Sequence, residues 1–166
     1  MKTLYIMRHA KSSWDDSTLP DHERPLNARG ERDTPVMGRL LKKRGIHPDL
    51  ILTSTAVRAL QTARGIAHEI GYPLQDIRTD EFIYHASGLE LVGLIAALAD
   101  TVSSVMLVGH NPAASEAVDF LTGKRIGSLP TCTVAALESD AVHWDDLAVH
   151  GSCRLLFMEK PKRHSK

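Results

Sequence analysis

The chain has 166 residues, 43% of them apolar and 5% aromatic, which suits one globular domain with a sizeable core. Twenty basic residues balance twenty acidic ones, so the formal net charge is zero, which argues against a general nucleic-acid or anionic-membrane surface and leaves room for a local basic site. The apolar stretch after Met1-Lys2-Thr3 is about six residues long, too short for a signal sequence or a membrane span, and no later run is longer. Cys132 and Cys153 lie far apart, with no Cys-x-x-Cys, and read as small buried core residues. A cytoplasmic protein is expected.

In chain order, a first strand is predicted over Thr3–Arg8. Asn27 is placed to cap a helix running to about Arg44, with Gly45 as its stop. A second strand follows at Leu50–Ser54, then a helix from about Ala56 to Ile70, ended by Gly71 and Pro73. A weaker strand is predicted over Ile77–Phe82. Ser87 and Glu90 fit a capping box at the start of a third helix, which continues through Leu98. The next strand is Ser104–Gly109. A fourth helix follows Asn111-Pro112, with Pro112 in its first turn and Gly123 at its end. Strands at Thr131–Glu138 and Cys153–Met158 close the pattern. The alternation predicts an α/β fold, a three-layer α/β/α sandwich with a mainly parallel central sheet and an antiparallel edge. A single domain is expected over 1–159, followed by a solvated basic tail over 160–166.

Three polar segments stand where an apolar run stops: Arg8-His9, Ser54 through Arg58, and Gly109-His110. In an α/β sheet, ligands bind at the carboxyl ends of the strands. Two Arg and two His gathered there suit a phosphoryl group. Arg8 and Arg58 offer permanently charged forks to its oxygens, and Arg58 stands on the first turn of a helix, itself an anion-favouring position. His9, oriented by a carbonyl of the following loop, is a candidate nucleophile. His110, if protonated, donates to a phosphoryl oxygen, although the flanking arginines oppose that protonation. Ser12, Ser13 and Asn111 are further hydrogen-bond candidates, with capping and turn roles as equal alternatives. Lys11 and Arg24 are candidates for guiding an anion, and Trp14 for the rim of the site. Gly123-Lys124-Arg125 lacks the upstream glycine of a P-loop and reads as a helix stop followed by solvated charge.

The segments Arg8-His9-Ala10-Lys11-Ser12-Ser13-Trp14, Arg24-Pro25-Leu26 with Gly30, Ser54 through Arg58-Ala59-Leu60-Gln61-Thr62-Ala63, and Gly109-His110-Asn111-Pro112 together resemble the histidine phosphatase (phosphoglycerate mutase-like) superfamily. The resemblance runs from Thr3 to about Phe157 and is strongest to the short bacterial phosphohistidine phosphatases of the SixA type. It implies that His9 is the phosphorylated nucleophile and that Arg8, Arg58 and His110 complete a phosphate pocket, with no metal and no cofactor. It implies a substrate that is a phosphohistidine on a signalling or phosphotransfer protein. The alternatives are a small phosphorylated metabolite, or a non-catalytic module that binds phosphohistidine proteins. A monomer is expected, with no nucleic-acid or membrane partner. Larger relatives carry an acid just after the third strand. The matching position is Glu81, with Asp80 second, against the plainer reading of a solvated carboxylate at a strand end. They also insert a helical lid for which Glu81 to Ser87 leaves no room, so an open site is expected.

Overall fold

The first strand, β1 (Lys2–Arg8), sends Leu4 and Ile6 to one face of a sheet and Tyr5 and Met7 to the other, all buried. A strand covered on both faces belongs in the middle of a layered α/β fold. The structure, a computed structural model, describes residues 1–162; residues 163–166, most of the expected basic tail, lie outside the described residues. β1 pairs in parallel with β4 (Ser104–Gly109), which pairs in parallel with β2 (Leu50–Thr53), itself parallel to the two-residue β3 (Arg78–Thr79). On its other side β1 pairs antiparallel with β5 (Val134–Ser139), and β5 with β6 (Arg154–Glu159). The strand order is β3-β2-β4-β1-β5-β6. The expected parallel sheet with an antiparallel edge is therefore observed.

Helices α1 (Ala28–Lys43) and α2 (Val57–Ile70) pack over the face that carries Tyr5, Met7, Ile51 and Met106. After the short α3 (Glu81–His85), α4 (Gly88–Ala96) and α5 (Ala113–Thr122) cover the face that carries Leu4, Ile6, Leu52 and Leu107. The helix ends follow the predicted chemistry. The Asn27 side chain accepts from the Gly30 N–H, and Ser87 and Glu90 form the capping box. Gly71 (φ 79°) and Gly123 (φ 69°) end their helices in the left-handed region, where a side chain would strain the backbone. Lys124 and Arg125 follow as exposed charge. Among the described residues, no helix is long and apolar enough to cross a membrane.

Most boundaries fall within one or two residues of expectation, and three differences have a clear local cause. The Ile77–Phe82 strand reduces to Arg78–Thr79, because the Asp80 carboxylate accepts from the Phe82 N–H and starts α3 there. β5 begins at Val134 rather than Thr131, because Cys132 has φ 58° and cannot continue a strand. Pro112 stands just before α5, at its cap position rather than inside its first turn.

The loop after β1 is bound on all sides. The Ala10 N–H donates to Thr62 Oγ1 (3.0 Å), the Leu26 N–H to Gln61 Oε1 (2.8 Å), the Asn27 N–H to Lys11 O (3.0 Å) and the Ser13 N–H to Pro25 O (2.7 Å). Gly30 is part of this packing, since a Cβ there would overlap the Lys11 carbonyl oxygen. Gly30→Ala is therefore expected to destabilise the fold by about 1–3 kcal/mol, the range for overpacking against a fixed backbone. Gly93→Ala in α4, where a Cβ meets nothing, is the control and is expected to be neutral or stabilising. Urea unfolding of the two variants measures the contrast, and equal effects would show that the Lys11 contact is not limiting.

Candidate active site

Three neighbouring parallel strands end at one edge of the sheet. Arg8 pairs in register with Gly109, and Thr53 with Val108, so His9, His110 and Ser54 follow one another across that edge. The His9 N–H donates to Gly109 O (3.1 Å) and the Ser54 N–H to Val108 O (3.1 Å), which extends the ladder into the site. The rings of His9 and His110 lie 5.1 Å apart. They stand with Arg8 and Arg58 in an open cleft of about 700 Å³, also lined by Ser12, Asp21, Arg24, Tyr84 and Asn111.

His9 Nδ1 is 2.7 Å from its neighbour's carbonyl, Ala10 O. A carbonyl oxygen only accepts, so Nδ1 carries the hydrogen and the neutral ring has its lone pair on Nε2. Burial holds the His9 pKa down to about 4, and the charges of Arg58, Arg8 and Arg24 act in the same direction against the Ala10 hydrogen bond. His9 is thus neutral at pH 7. Burial, then the neighbouring His9 and Arg58, lower His110 to about 3. Its Nε2 lies 2.8 Å from Ser54 Oγ, which already accepts from the Ala56 N–H (3.1 Å). The arrangement that uses the Ser54 hydroxyl hydrogen has it donate to Nε2, which puts the His110 proton on Nδ1. That Nδ1 is buried and has no hydrogen-bond partner, as do Arg8 Nε and Arg58 Nε. Such atoms are costly to bury unless an anion or water meets them.

These shifts set a pH dependence of stability. The unfolded histidines take up protons near their ordinary pKa of 6.5, whereas the folded ones do so near 4 and 3. Between those limits the unfolded state binds more protons, so stability falls as pH falls. For His9 the interval corresponds to about 3 kcal/mol, all of it present above pH 6.5 and lost on the way to about pH 4. Unfolding free energy measured from pH 7 to pH 4 is expected to drop steeply. The slope should flatten in a His9→Gln, His110→Gln double variant, and an unchanged slope would assign the acid sensitivity elsewhere.

Both terminal nitrogens of Arg58 are held by Asp21. Nη1 donates to its carbonyl oxygen (2.7 Å) and Nη2 to Oδ2 (2.9 Å). Oδ1 accepts from Arg24 Nε (3.2 Å) and Nη2 (3.1 Å), and the Tyr84 hydroxyl donates to Oδ2 (2.7 Å). The Tyr84 hydrogen bond, followed by the Arg58 bond and charge, keeps the Asp21 carboxyl well below the usual carboxylate range. Asp21 and Tyr84 therefore set the orientation of Arg58, a role that sequence reasoning missed. The one signal for Asp21 is its position three residues before Arg24. Tyr84 has none, because its partner is 63 positions away.

The other sequence candidates divide. Ser12 lines the cleft, and its Oγ accepts from Arg24 Nη1 (3.0 Å). Arg24 is buried and bonded to Asp21, Ser12 and Ser13, so it clamps the loop rather than standing free to guide an anion. Asn111 also lines the cleft, but Nδ2 donates to Leu129 O (2.8 Å) and Ser128 Oγ (3.2 Å), and Oδ1 accepts from Ser115 Oγ (2.7 Å). Its side chain holds the loop whose Leu129 carbonyl accepts from Arg8 Nη1 (2.9 Å), which is a positioning task. Glu81 and Asp80 are not among the cleft residues. Glu81 is exposed on the first turn of α3, and Asp80 caps that helix. The strand that was to aim Glu81 at the site ends before reaching it.

An α/β sheet that gathers two His and two Arg at the carboxyl edge of its parallel strands suits an enzyme that handles phosphoryl groups. Comparison with known proteins gives the family. The profile of the histidine phosphatase superfamily (branch 1) matches residues 4–83. An uncharacterized protein of Mycobacterium tuberculosis is 35% identical over 152 residues, covering 85% of this chain and 91% of that protein. An uncharacterized chloroplastic protein of Arabidopsis thaliana is 31% identical over 153 residues, covering 87% of this chain and 70% of the other. Among solved structures, a candidate phosphohistidine phosphatase SixA from Agrobacterium tumefaciens is 30% identical, with a TM-score of 0.83 over 96% of this chain and 98% of that one. The chain belongs to the histidine phosphatase superfamily, is similar to its SixA members, and is a phosphatase.

Proposed function

We propose that the protein is a metal-independent phosphatase that works through a phosphohistidine intermediate on His9 and removes phosphate from phosphohistidine on a signalling or phosphotransfer protein. In this reading His9 Nε2 attacks phosphorus as the bond to the leaving group breaks. Arg8, Arg58 and His110 Nδ1–H receive the phosphoryl oxygens, where negative charge is held. Water then attacks the phosphorylated His9, which releases inorganic phosphate and restores the imidazole.

One observation carries the choice of substrate. Among the described residues, Asp21 is the one carboxylate lining the cleft, and Tyr84 and Arg58 keep it ionised. An alkoxide leaving group needs a proton donor, whereas the imidazole of a phosphohistidine brings its own proton near neutral pH. With no protonated carboxylic acid among the described residues of the cleft lining, a nitrogen leaving group is favoured. The similarity to the Agrobacterium SixA and the open cleft, which admits a phosphate displayed on a protein surface, support the same reading. Two free cysteines among the described residues fit a reducing compartment such as the cytoplasm.

The test is a panel of a phosphohistidine protein, a phosphoramidate, aryl phosphates and alkyl phosphates, measured as kcat/KM. The phosphohistidine protein is expected to lead and the alkyl esters to trail. A wide preference for alkyl monoesters would replace this reading with a metabolite phosphatase, and binding without turnover would leave a recognition module. Glu81→Gln is expected to act within about twofold of wild type on every substrate, since a surface carboxylate contributes little. A selective loss on alkyl esters would return Glu81 to the acid role.

A further inference from the structure

Trp14 lies on the wall of the cleft and is 72% exposed. The ring is nonetheless fixed. The guanidinium carbon of Arg24 lies 3.4 Å from its centroid, and Arg24 is itself buried and bonded to Asp21, Ser12 and Ser13. The Ser13 N–H, one residue before the ring, is tied to Pro25 O (2.7 Å). One face of the indole is thus covered by a cation, and the other is open at the mouth of a phosphoryl-binding cleft. A flat π face held in place favours a planar ring stacked on it. An alkyl group offers no π face to stack.

We propose that the outer face of Trp14 is a subsite for a planar aromatic leaving group, which selects phosphoryl donors by the ring that departs. The subsite rests on the reading of the cleft as a phosphoryl-transfer site, and for a phosphohistidine the ring is the imidazole. Stacking holds the ring at the rim while phosphorus faces His9. As the bond from His9 Nε2 to phosphorus forms, the bond from phosphorus to the ring's nitrogen or oxygen breaks and its electron pair stays with that atom. An imidazole leaves neutral on the proton it carried in, and a phenolate takes its proton from water. Trp14 thereby sets specificity without touching the phosphoryl oxygens.

The experiment compares wild type, Trp14→Ala and Trp14→Phe on phenyl phosphate, ethyl phosphate and a phosphohistidine peptide, with inorganic phosphate as a competitive inhibitor. The readout is the phenyl-to-ethyl ratio of kcat/KM, in which the intrinsic reactivity of the two esters cancels between variants. Trp14→Ala is expected to lower this ratio about three- to tenfold, the range for an aromatic pair, and Trp14→Phe to restore most of it. The phosphohistidine peptide should follow phenyl phosphate. A parallel loss on both esters together with weaker inhibition by phosphate would mean that Trp14 acts only as a cover for Arg24, and would overturn the subsite. An unchanged ratio would overturn it as well. Failure of the substrate reading looks different: a wild-type enzyme that ignores the phosphohistidine peptide, yet loses its phenyl preference in Trp14→Ala, keeps the subsite and rejects that substrate.

Discussion

His9→Ala is expected to abolish turnover, by at least about 10⁴-fold in kcat, the scale on which enzymes lose activity when their nucleophile is removed. No other described residue of the cleft has the same preparation. His9 is buried, neutral at pH 7, and holds its Nδ1 hydrogen on Ala10 O, which leaves Nε2 as the basic atom. His110 also carries its proton on Nδ1, but its Nε2 lone pair is taken by the Ser54 hydroxyl. Rapid mixing with labelled phosphoryl donor followed by quenching should trap phosphate on His9. The adduct should be labile in acid and stable in alkali, as a phosphorus–nitrogen bond is. Label on a serine, or full activity in folded His9→Ala, would be incompatible with the mechanism. Because the His9 pKa lies near 4, its neutral form should persist well below the pH at which an ordinary histidine protonates. An acid limb of the wild-type profile between pH 6 and 7 is then not expected from the protonation of His9.

Arg58→Ala is expected to lower kcat/KM by about 2–4 kcal/mol in transition-state terms, comparable with deleting a preorganised donor from an oxyanion site. The guanidinium is buried, its two terminal nitrogens are anchored on Asp21, and its Nε has no partner. Lysine should restore only part of the loss, because it keeps the charge and lacks the fork that Asp21 grips. Asp21→Asn should give a smaller loss, since Arg58 keeps its bond to the Asp21 carbonyl while losing the carboxylate. Steady-state kinetics of the three variants, with unfolding curves to confirm that each is folded, measures the order. Wild-type kcat/KM in a folded Arg58→Ala would remove Arg58 from the site.

The sheet, and the gathering of Arg8, His9, Arg58 and His110 at one edge of it, were legible because both rest on local signals that tertiary packing reinforced. An apolar run ending in Arg8-His9 or Gly109-His110 is a buried strand meeting solvent. Parallel neighbours must end at the same edge, so residues about a hundred positions apart came together without long-range information. Helix ends at Asn27, Gly71, Ser87 and Gly123 were readable for the same reason, since a cap is satisfied by atoms within a few residues.

Other residues were decided only by the folded chain. Glu81 follows a strand of two residues, and the Asp80 side chain turns the backbone into a helix before the carboxylate reaches the cleft. Asn111 matches a motif, yet its donors go to a loop 17 and 18 residues later, a distance at which sequence carries no geometry. Asp21 and Tyr84 meet over Arg58 from three separate segments, and no periodicity links them. The sequence by itself determined which strands end in the His and Arg side chains and where the helices begin and stop, because those depend on hydrophobic period and on local hydrogen bonds. Only the tertiary structure decided which polar groups face the cleft and which are consumed in holding it, because a side chain's partners are set by packing across the fold rather than by its neighbours in the chain.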